Sequence, residues 1–324
     1  MGNRGMYLYK LIAIILLLIG IVFPFFIKDQ YILRIINMTF IYIILSMSLN
    51  LITGVTGQFH LGHAAFYGVG AYTAALLAVK LHIPFLIAFI AGGLGAAFIG
   101  FLIGLPTIRL RDIYLTVTTL GFGEIVRLIL LNWVSVTRGP MGIPGIPYPD
   151  IFGLKIMSQI DFYYLIFVVL VLSVITLFRI TYSRYGDILR AIRENELAAK
   201  TLGINTTVYK VTAFVVGAFF AGLAGSLFAY FSAYISPDSF TFAESINILA
   251  MVVIGGLGSM PGAILGAVIL ALAPEGFRFL AEYRMVVVGL LMLGVILWRN
   301  SGIIGEQAAI RFMNMRIGGR QDAS

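Results

Sequence analysis

The 324-residue chain has no cysteine and only three histidines. Without cysteine, no disulfide framework and no thiolate metal or redox site can form. His60, His63 and His82 are too few and too scattered to make a metal site. Charge is scarce as well: charged residues make up 11% of the chain, against about a quarter in a soluble domain. No G-x-x-x-x-G-K-S/T run occurs, so the chain holds no nucleotide through a P-loop. The net charge of +8 comes without an aromatic-interleaved basic patch, which argues against a nucleic-acid partner.

What remains is apolar. Hydrophobic residues make up 60% of the chain and the mean hydropathy is +1.01, the composition of an integral membrane protein in contact with lipid. Uncharged stretches recur at residues 11–27, 35–79, 81–108, 162–178, 211–235, 245–274 and 285–298. The longest must fold back, because about 20 residues cross the hydrocarbon as a helix. Whole segments that are apolar all round favour bundled helices over a β-barrel, whose strands are short and alternating. The expected fold is therefore all-α: a polytopic transmembrane bundle of about ten spans or partial spans, with Gly-interrupted helices in both halves. One domain over 1–305 and a tail over 306–324 account for the whole chain.

Crossings near 11–27, 33–52, 61–79, 83–105, 113–134, 162–178, 211–235, 245–256, 260–274 and 284–298, with both termini cytoplasmic, leave 14 of the 22 Lys and Arg inside. Arg4, Lys10, Arg109, Arg111, Arg299, Arg311, Arg316 and Arg320 are among them, and the bias obeys the positive-inside rule. The run 11–27 has no small-x-small site ahead of Lys28 and reads as a retained anchor. Between about 135 and 160, Pro140, Pro144, Pro147 and Pro149 with four glycines cannot continue a helix and predict an ordered, turn-rich outer cap.

Tyr182 to Ile204 is an island of charge between uncharged flanks and reads as one amphipathic helix. Asp187 is positioned as its N-cap and Gly203 as its C′ residue. Ile188, Ala191, Ile192, Asn195, Ala198, Ala199 and Leu202 follow at three- and four-residue steps, opposite Arg190, Arg193, Glu194 and Lys200. Its small, alanine-rich face suits a groove on a partner protein better than a bilayer surface.

Two glycine-rich interruptions stand at corresponding places in the halves. The first holds Gly54, Gly57, Gly62, Gly68 and Gly70 around Gln58 and His63; the second holds Gly255, Gly256, Gly258, Gly262 and Gly266. Such interruptions point to a transport site near the midplane, whereas four-residue spacing of small residues also serves close helix packing. Packing is the preferred reading for Gly92, Ala96, Gly100 and Gly104 and for Gly217, Ala221 and Gly225; function is preferred for the first interruption. Asn50, Gln58, His63, Glu124, Gly57, Gly62 and Gly258 are the pathway candidates. Glu124 and Arg127 lie on one helix face and read equally as an intrahelical pair or as a contact on a polar route.

The blocks NLITGVTGQFHLGHAAFYGVGAY, LRDIYLTVTTLGFGEIVRLIL, RGPMGIPGIP, LRAIRENELAAKTLGI and INILAMVVIGGLGSMPGAILGA, in that order, resemble the longer permease subunit, LivM type, of branched-chain amino acid ABC importers. The resemblance implies a non-enzymatic permease in a prokaryotic cell membrane. Its implied partners are a second homologous permease, two cytoplasmic ATP-binding subunits that carry ATP and Mg, and an extracytoplasmic amino-acid-binding protein. It also implies that Arg190 to Gly203 enters the ATPase, with Glu196, Ala198, Ala199 and Gly203 approximating a Glu-Ala-Ala…Gly pattern and Leu197 interposed; Arg190, Arg193, Glu194, Asn195 and Lys200 complete that contact. His60 stands where the family has a small hydroxyl residue. The tail after Trp298 carries no expected role beyond a positive anchor. The same architecture for urea, a short amide or a sugar, or an ATP-independent channel, is the competing expectation.

Overall fold

The computed structural model describes residues 20–24, 29–107, 110, 112–151, 153–276, 289, 293–294, 302–306 and 308. The expected crossing at 284–298, most of the anchor at 11–27 and most of the tail lie outside the described residues, as do Arg4, Lys10, Arg109, Arg111, Arg299, Arg311, Arg316 and Arg320.

Ten helices carry the described architecture. They are α1 Gln30–Leu49, α2 His63–Leu81, α3 Phe85–Thr107, α4 Asp112–Asn132, α5 Gln159–Thr181, α6 Arg184–Glu194, α7 Glu196–Thr201, α8 Thr206–Ser232, α9 Phe242–Gly255 and α10 Met260–Gly276. Six described helices are long and apolar enough to cross a membrane: α1 with its extension to Val55, then α2, α3, α4, α5 and α8. The shorter apolar helices α9 and α10 are adjacent and pack against each other. This is a multi-pass helical membrane protein.

Helix α8 is the centre of the bundle and packs most extensively against α3 and α2. A methyl on Gly70 would fall on the backbone of Gly222, so the α2–α8 crossing is a backbone contact that no larger residue permits. On α3, a Cβ at Gly100 would come within 2.6 Å of Ala218. Together with the core position of Ala96 and Ala221, this assigns both small-residue series to helix packing. Helix α1 joins this core to α5 and α10. Local signals fix the helix starts: Asp29 accepts the Tyr31 N–H at 2.8 Å, and Ser158 and Asp161 close a reciprocal capping box on α5.

The Pro/Gly segment is ordered, although it is not purely turns. Ile143–Pro144 pairs antiparallel with Tyr234–Ile235, and Asp150–Ile151 pairs with Leu154–Lys155. Its first pairing sits just past the C-terminus of α8, whereas α6 and α7 precede the N-terminus of that helix. With 27 residues in α8, these two surfaces lie at opposite ends of the bundle, about 40 Å apart at about 1.5 Å per residue.

Candidate functional site

Helix α1 does not end at Leu49 but widens into a π-helical stretch, Asn50–Val55, an uncommon geometry that recurs at functional positions. The Thr56 N–H reaches back to the Leu51 carbonyl and the Gln58 N–H to Ile52, and the chain then runs without helix to Gly62. Gly57 turns it with a φ of +74°. A second break, Gly256 to Ser259, separates α9 from α10, with Gly258 at a φ of +79°.

The two breaks touch. The fully buried Asn50 accepts the Gly258 N–H at 2.9 Å and turns its amide nitrogen to the Met260 sulfur at 3.8 Å. Gly54 lies under this contact, where a methyl would overlap both the Asn50 amide oxygen and the Gly258 nitrogen. The far end of the first break is held by three helices. Leu61 N–H donates to Thr119 Oγ1 on α4 at 3.2 Å, His63 Nε2 meets Ser48 Oγ on α1 at 2.8 Å, and the Ala64 N–H donates to Ser245 Oγ on α9 at 3.0 Å. His60 stacks on Phe66 at 5.1 Å and stands edge-on to Phe214 and His63.

Gln58 Oε1, both ring nitrogens of His60 and Nδ1 of His63 are buried and have no hydrogen-bond partner among the described residues. Four such atoms within six residues contrast with the usual near-complete pairing of buried polar groups. Asn50, Gly57, Gln58, Gly62, His63 and Gly258 therefore belong to one locus. Glu124 does not join it: its carboxylate is forked by Arg127 Nε at 2.9 Å and Nη2 at 2.5 Å on the same helix, and both side chains are partly exposed. Of its two readings, the geometry favours the intrahelical pair.

The charged island differs from its expected form. It is an elbow of two helices, α6 and α7, broken at Asn195, whose backbone is extended and whose side chain accepts the Ala198 N–H at 3.0 Å. Asparagine satisfies an orphan donor at a helix start better than it continues a helix, which is why one helix became two. Ser183, not Asp187, caps the first, accepting the Tyr185 N–H; Asp187 sits in the first turn and pairs with Arg190 at 3.0 Å. Gly203 has a φ of +81°, the left-handed conformation of a C′ glycine.

The faces of the elbow are also redistributed. Leu189, Ile192 and Ala199 are buried within the chain, while Glu194, Asn195, Ala198, Lys200 and Gly203 are exposed. Leu197 and Leu202 project as exposed apolar side chains, 63% and 81% accessible. Arg190 and Arg193 turn inward. Arg193 Nη1 donates to the Gly54 carbonyl at 2.5 Å, Arg193 Nη2 to Glu306 Oε2 at 2.6 Å, and Arg190 Nε to Glu306 Oε1 at 2.9 Å. The guanidinium of Arg190 also lies 5.4 Å from the Tyr182 ring centre.

Glu196 bridges Lys210 at 2.6 Å, Lys200 at 3.0 Å and Thr206 at 3.1 Å, tying the elbow to the start of α8. Partial burial raises its carboxyl, but hydrogen bonds from Lys210 and Lys200 overcome this and hold it at about 2. Between the elbow and the first break opens a cleft of about 270 Å³ lined by Thr56, Gly57 and Gln58 on one side and Ile192, Arg193 and Asn195 on the other.

Sequence reasoning placed Leu202 on a partner-facing surface, but it gave Leu197 no such role and missed Glu306 altogether. The signal for Glu306 was one of two acids, with Asp322, in a basic tail, set against a surplus of arginine on α6.

A family model for the permease component of branched-chain amino acid transport systems matches residues 31–296. The high-affinity branched-chain amino acid transport system permease protein LivM of Salmonella typhimurium is 41% identical over 318 residues, covering 91% of this chain and 75% of the relative. LivM of Escherichia coli K12 is 40% identical with the same coverage. The LivH permease protein of Escherichia coli K12 is 27% identical over 82% of this chain and 91% of its own length. No solved structure matches. A model matched across α1 to α10 and relatives at 40% identity over nearly the whole chain agree, and the chain belongs to the permease-component family of branched-chain amino acid transport systems.

Proposed function

We propose that this chain is one transmembrane permease subunit of an ATP-driven importer for leucine, isoleucine and valine, working by alternating access. In this reading it pairs with a second, homologous permease, and two ATP-binding subunits grip the α6–α7 elbow from the cytoplasm. A binding protein delivers the amino acid at the Pro/Gly end. The chain itself performs no covalent chemistry; ATP and Mg reside in the ATP-binding partners.

The observation that carries the reading is the bond from Arg193 to the Gly54 carbonyl. One side chain belongs to a helix whose neighbour presents exposed Leu197 and Leu202, and it ends on the backbone of a broken transmembrane helix. Exposed apolar side chains beside charged neighbours suit a groove in a soluble partner. A push on the elbow is thereby transmitted to the break without passing through a mobile loop. The buried, unpaired atoms of Gln58, His60 and His63 support a route there, since water or the passing solute can supply their missing partners. Little on the chain specifies a branched side chain, so selectivity resides chiefly in the delivering protein.

Purification of the native complex followed by reconstitution in liposomes tests this. The expected result is co-purification of ATP-binding subunits and ATP hydrolysis stimulated by leucine-loaded binding protein. Solute flux through the polypeptide alone without ATP would overturn the importer reading, and uptake competed by urea but not by leucine would overturn the substrate assignment.

A further inference from the structure

Glu306 is not required by any step above, yet its carboxylate is engaged by two arginines of the elbow's inner face. Each oxygen is taken by a different guanidinium, Oε1 by Arg190 and Oε2 by Arg193, from residues three apart on one helix. The side chains of Glu306 and Arg190 are 15% and 11% accessible, so this contact is largely shielded from solvent and salt.

The segment carrying Glu306 is fixed to the second break. The Ile303 N–H donates to the Ile254 carbonyl and the Ile304 N–H to the Gly255 carbonyl, both at 3.0 Å. Gly258 faces the carboxylate directly, where a Cβ would stand 2.8 Å from it and 3.0 Å from Arg193 Nη1. Arg193 simultaneously bonds Gly54 in the first break, its stem lying over Gly57. Three parts of the chain distant in sequence, the elbow, the first break and the second break, therefore converge on one carboxylate. Backbone bonds at Ile303 and Ile304 suffice to anchor a tail; capture of a carboxylate by two arginines of the elbow is a separate feature.

We infer that Glu306 is a positioning residue for energy coupling, a latch that fixes the Arg193 fork so that movement of the elbow reaches both Gly breaks together. The inference rests on the importer reading. Two guanidiniums holding the two oxygens of one carboxylate form a charge-assisted, directional junction between the elbow and the segment fixed to the second break. Without the carboxylate, the Arg193 fork loses the partner that orients it toward Gly54, and the second break loses its link to the elbow.

The test uses the complete complex with its ATP-binding partners, comparing wild type, Glu306→Gln and Arg193→Lys. Glu306→Gln keeps shape but removes charge. It is expected to assemble with the ATP-binding subunits at wild-type yield and to retain basal ATP hydrolysis, while uptake and substrate-stimulated hydrolysis fall about tenfold or more, within the range of ordinary coupling energies. A merely structural role predicts the opposite split, with assembly lost and any surviving complex fully coupled. Arg193→Lys keeps the charge but cannot hold Glu306 and Gly54 at once, and is expected to be partly uncoupled. Should Glu306→Gln fail to assemble, a fully coupled Arg193→Lys complex overturns the latch and a partly uncoupled one supports it. Normal coupling in Glu306→Gln refutes the latch alone. Absence of any ATP-binding subunit from the wild-type complex would instead refute the importer reading on which it stands.

Discussion

Replacing Gly54 with alanine isolates the contact between the two breaks. The added methyl overlaps the Asn50 amide oxygen and the Gly258 nitrogen, both buried, so Asn50 must swing away and its 2.9 Å bond from Gly258 is lost. An unpaired buried N–H costs about 1–3 kcal/mol, and overpacking of a filled site adds about 1–3 kcal/mol. Gly54→Ala is therefore expected to lose about 4 kcal/mol. Asn50→Ala alone leaves the Gly258 N–H without its acceptor and is expected to cost about 1–3 kcal/mol.

The double variant separates the two terms. With the Asn50 amide gone the overlap with its oxygen is relieved, that with the Gly258 nitrogen remains, and the lost hydrogen bond is counted once. The double variant should be no less stable than Gly54→Ala, a coupling of about 2–4 kcal/mol. Hydrogen bonds between membrane helices average only about 0.6 kcal/mol and reach about 1.7, so a coupling above about 2 identifies steric relief as the larger part. The assay is a denaturant titration of purified protein in mixed micelles, with uptake measured on the same four proteins. Costs that add to within about 0.5 kcal/mol would refute the contact.

Other consequences concern the elbow. Leu197→Asp and Leu202→Asp, at exposed positions, should change stability by less than about 0.5 kcal/mol but abolish co-purification of the ATP-binding subunits; retained co-purification rejects these knobs as the docking contact. Ala199→Trp behaves differently from its expectation as a surface position: Ala199 is buried, so a bulky replacement overpacks the elbow and should lower folded yield by about 1–3 kcal/mol or more, checked by size-exclusion of the solubilised protein. Glu196 supplies a pH signature. Its folded carboxyl is depressed from 4.5 to about 2, so its stabilisation is complete above 4.5 and lost as pH falls toward 2. At about 1.4 kcal/mol per unit the ceiling is about 3 kcal/mol, and because Lys200 is half exposed we expect about 1–2 after solvent screening. The stability gap between wild type and Glu196→Gln should be full at pH 7 and narrow below pH 4.5; a gap constant down to pH 3.5 rejects the assignment.

How much of this was legible in the sequence follows from the range of the forces involved. Span positions could be read from hydropathy because each helix must satisfy its own backbone in the membrane, a local requirement written in about 20 consecutive residues. Expected crossings at 33–52, 61–79, 83–105, 113–134, 162–178 and 211–235 fall on α1 to α5 and α8 within a few residues. The Gln58–His63 locus was visible because polar atoms in an apolar run must be explained. The fold of the charged island was less legible, since Asn195 at a helical step satisfies the amphipathic pattern equally well as a helix interior or as a cap, and only geometry decides between them.

What periodicity could not supply was the partner of each charge. Arg190 and Arg193 read as part of the partner contact, with Asp187, Glu194 and Glu196 the acids close to them in sequence. Their strongest partner is more than a hundred positions away, brought back by the bonds of Ile303 and Ile304 to the end of α9. Arg190 and Arg193 thus turn inward, while Leu202, read as facing a partner, and Leu197, read only as an interposed residue, form the exposed apolar surface. Removing the Glu306 carboxylate leaves Arg190 paired with Asp187 and takes from Arg193 the acid that orients it. That loss falls where the elbow meets both helix breaks, on the junction that Arg193 makes with Gly54, and not on the packing of α8 against α2 and α3.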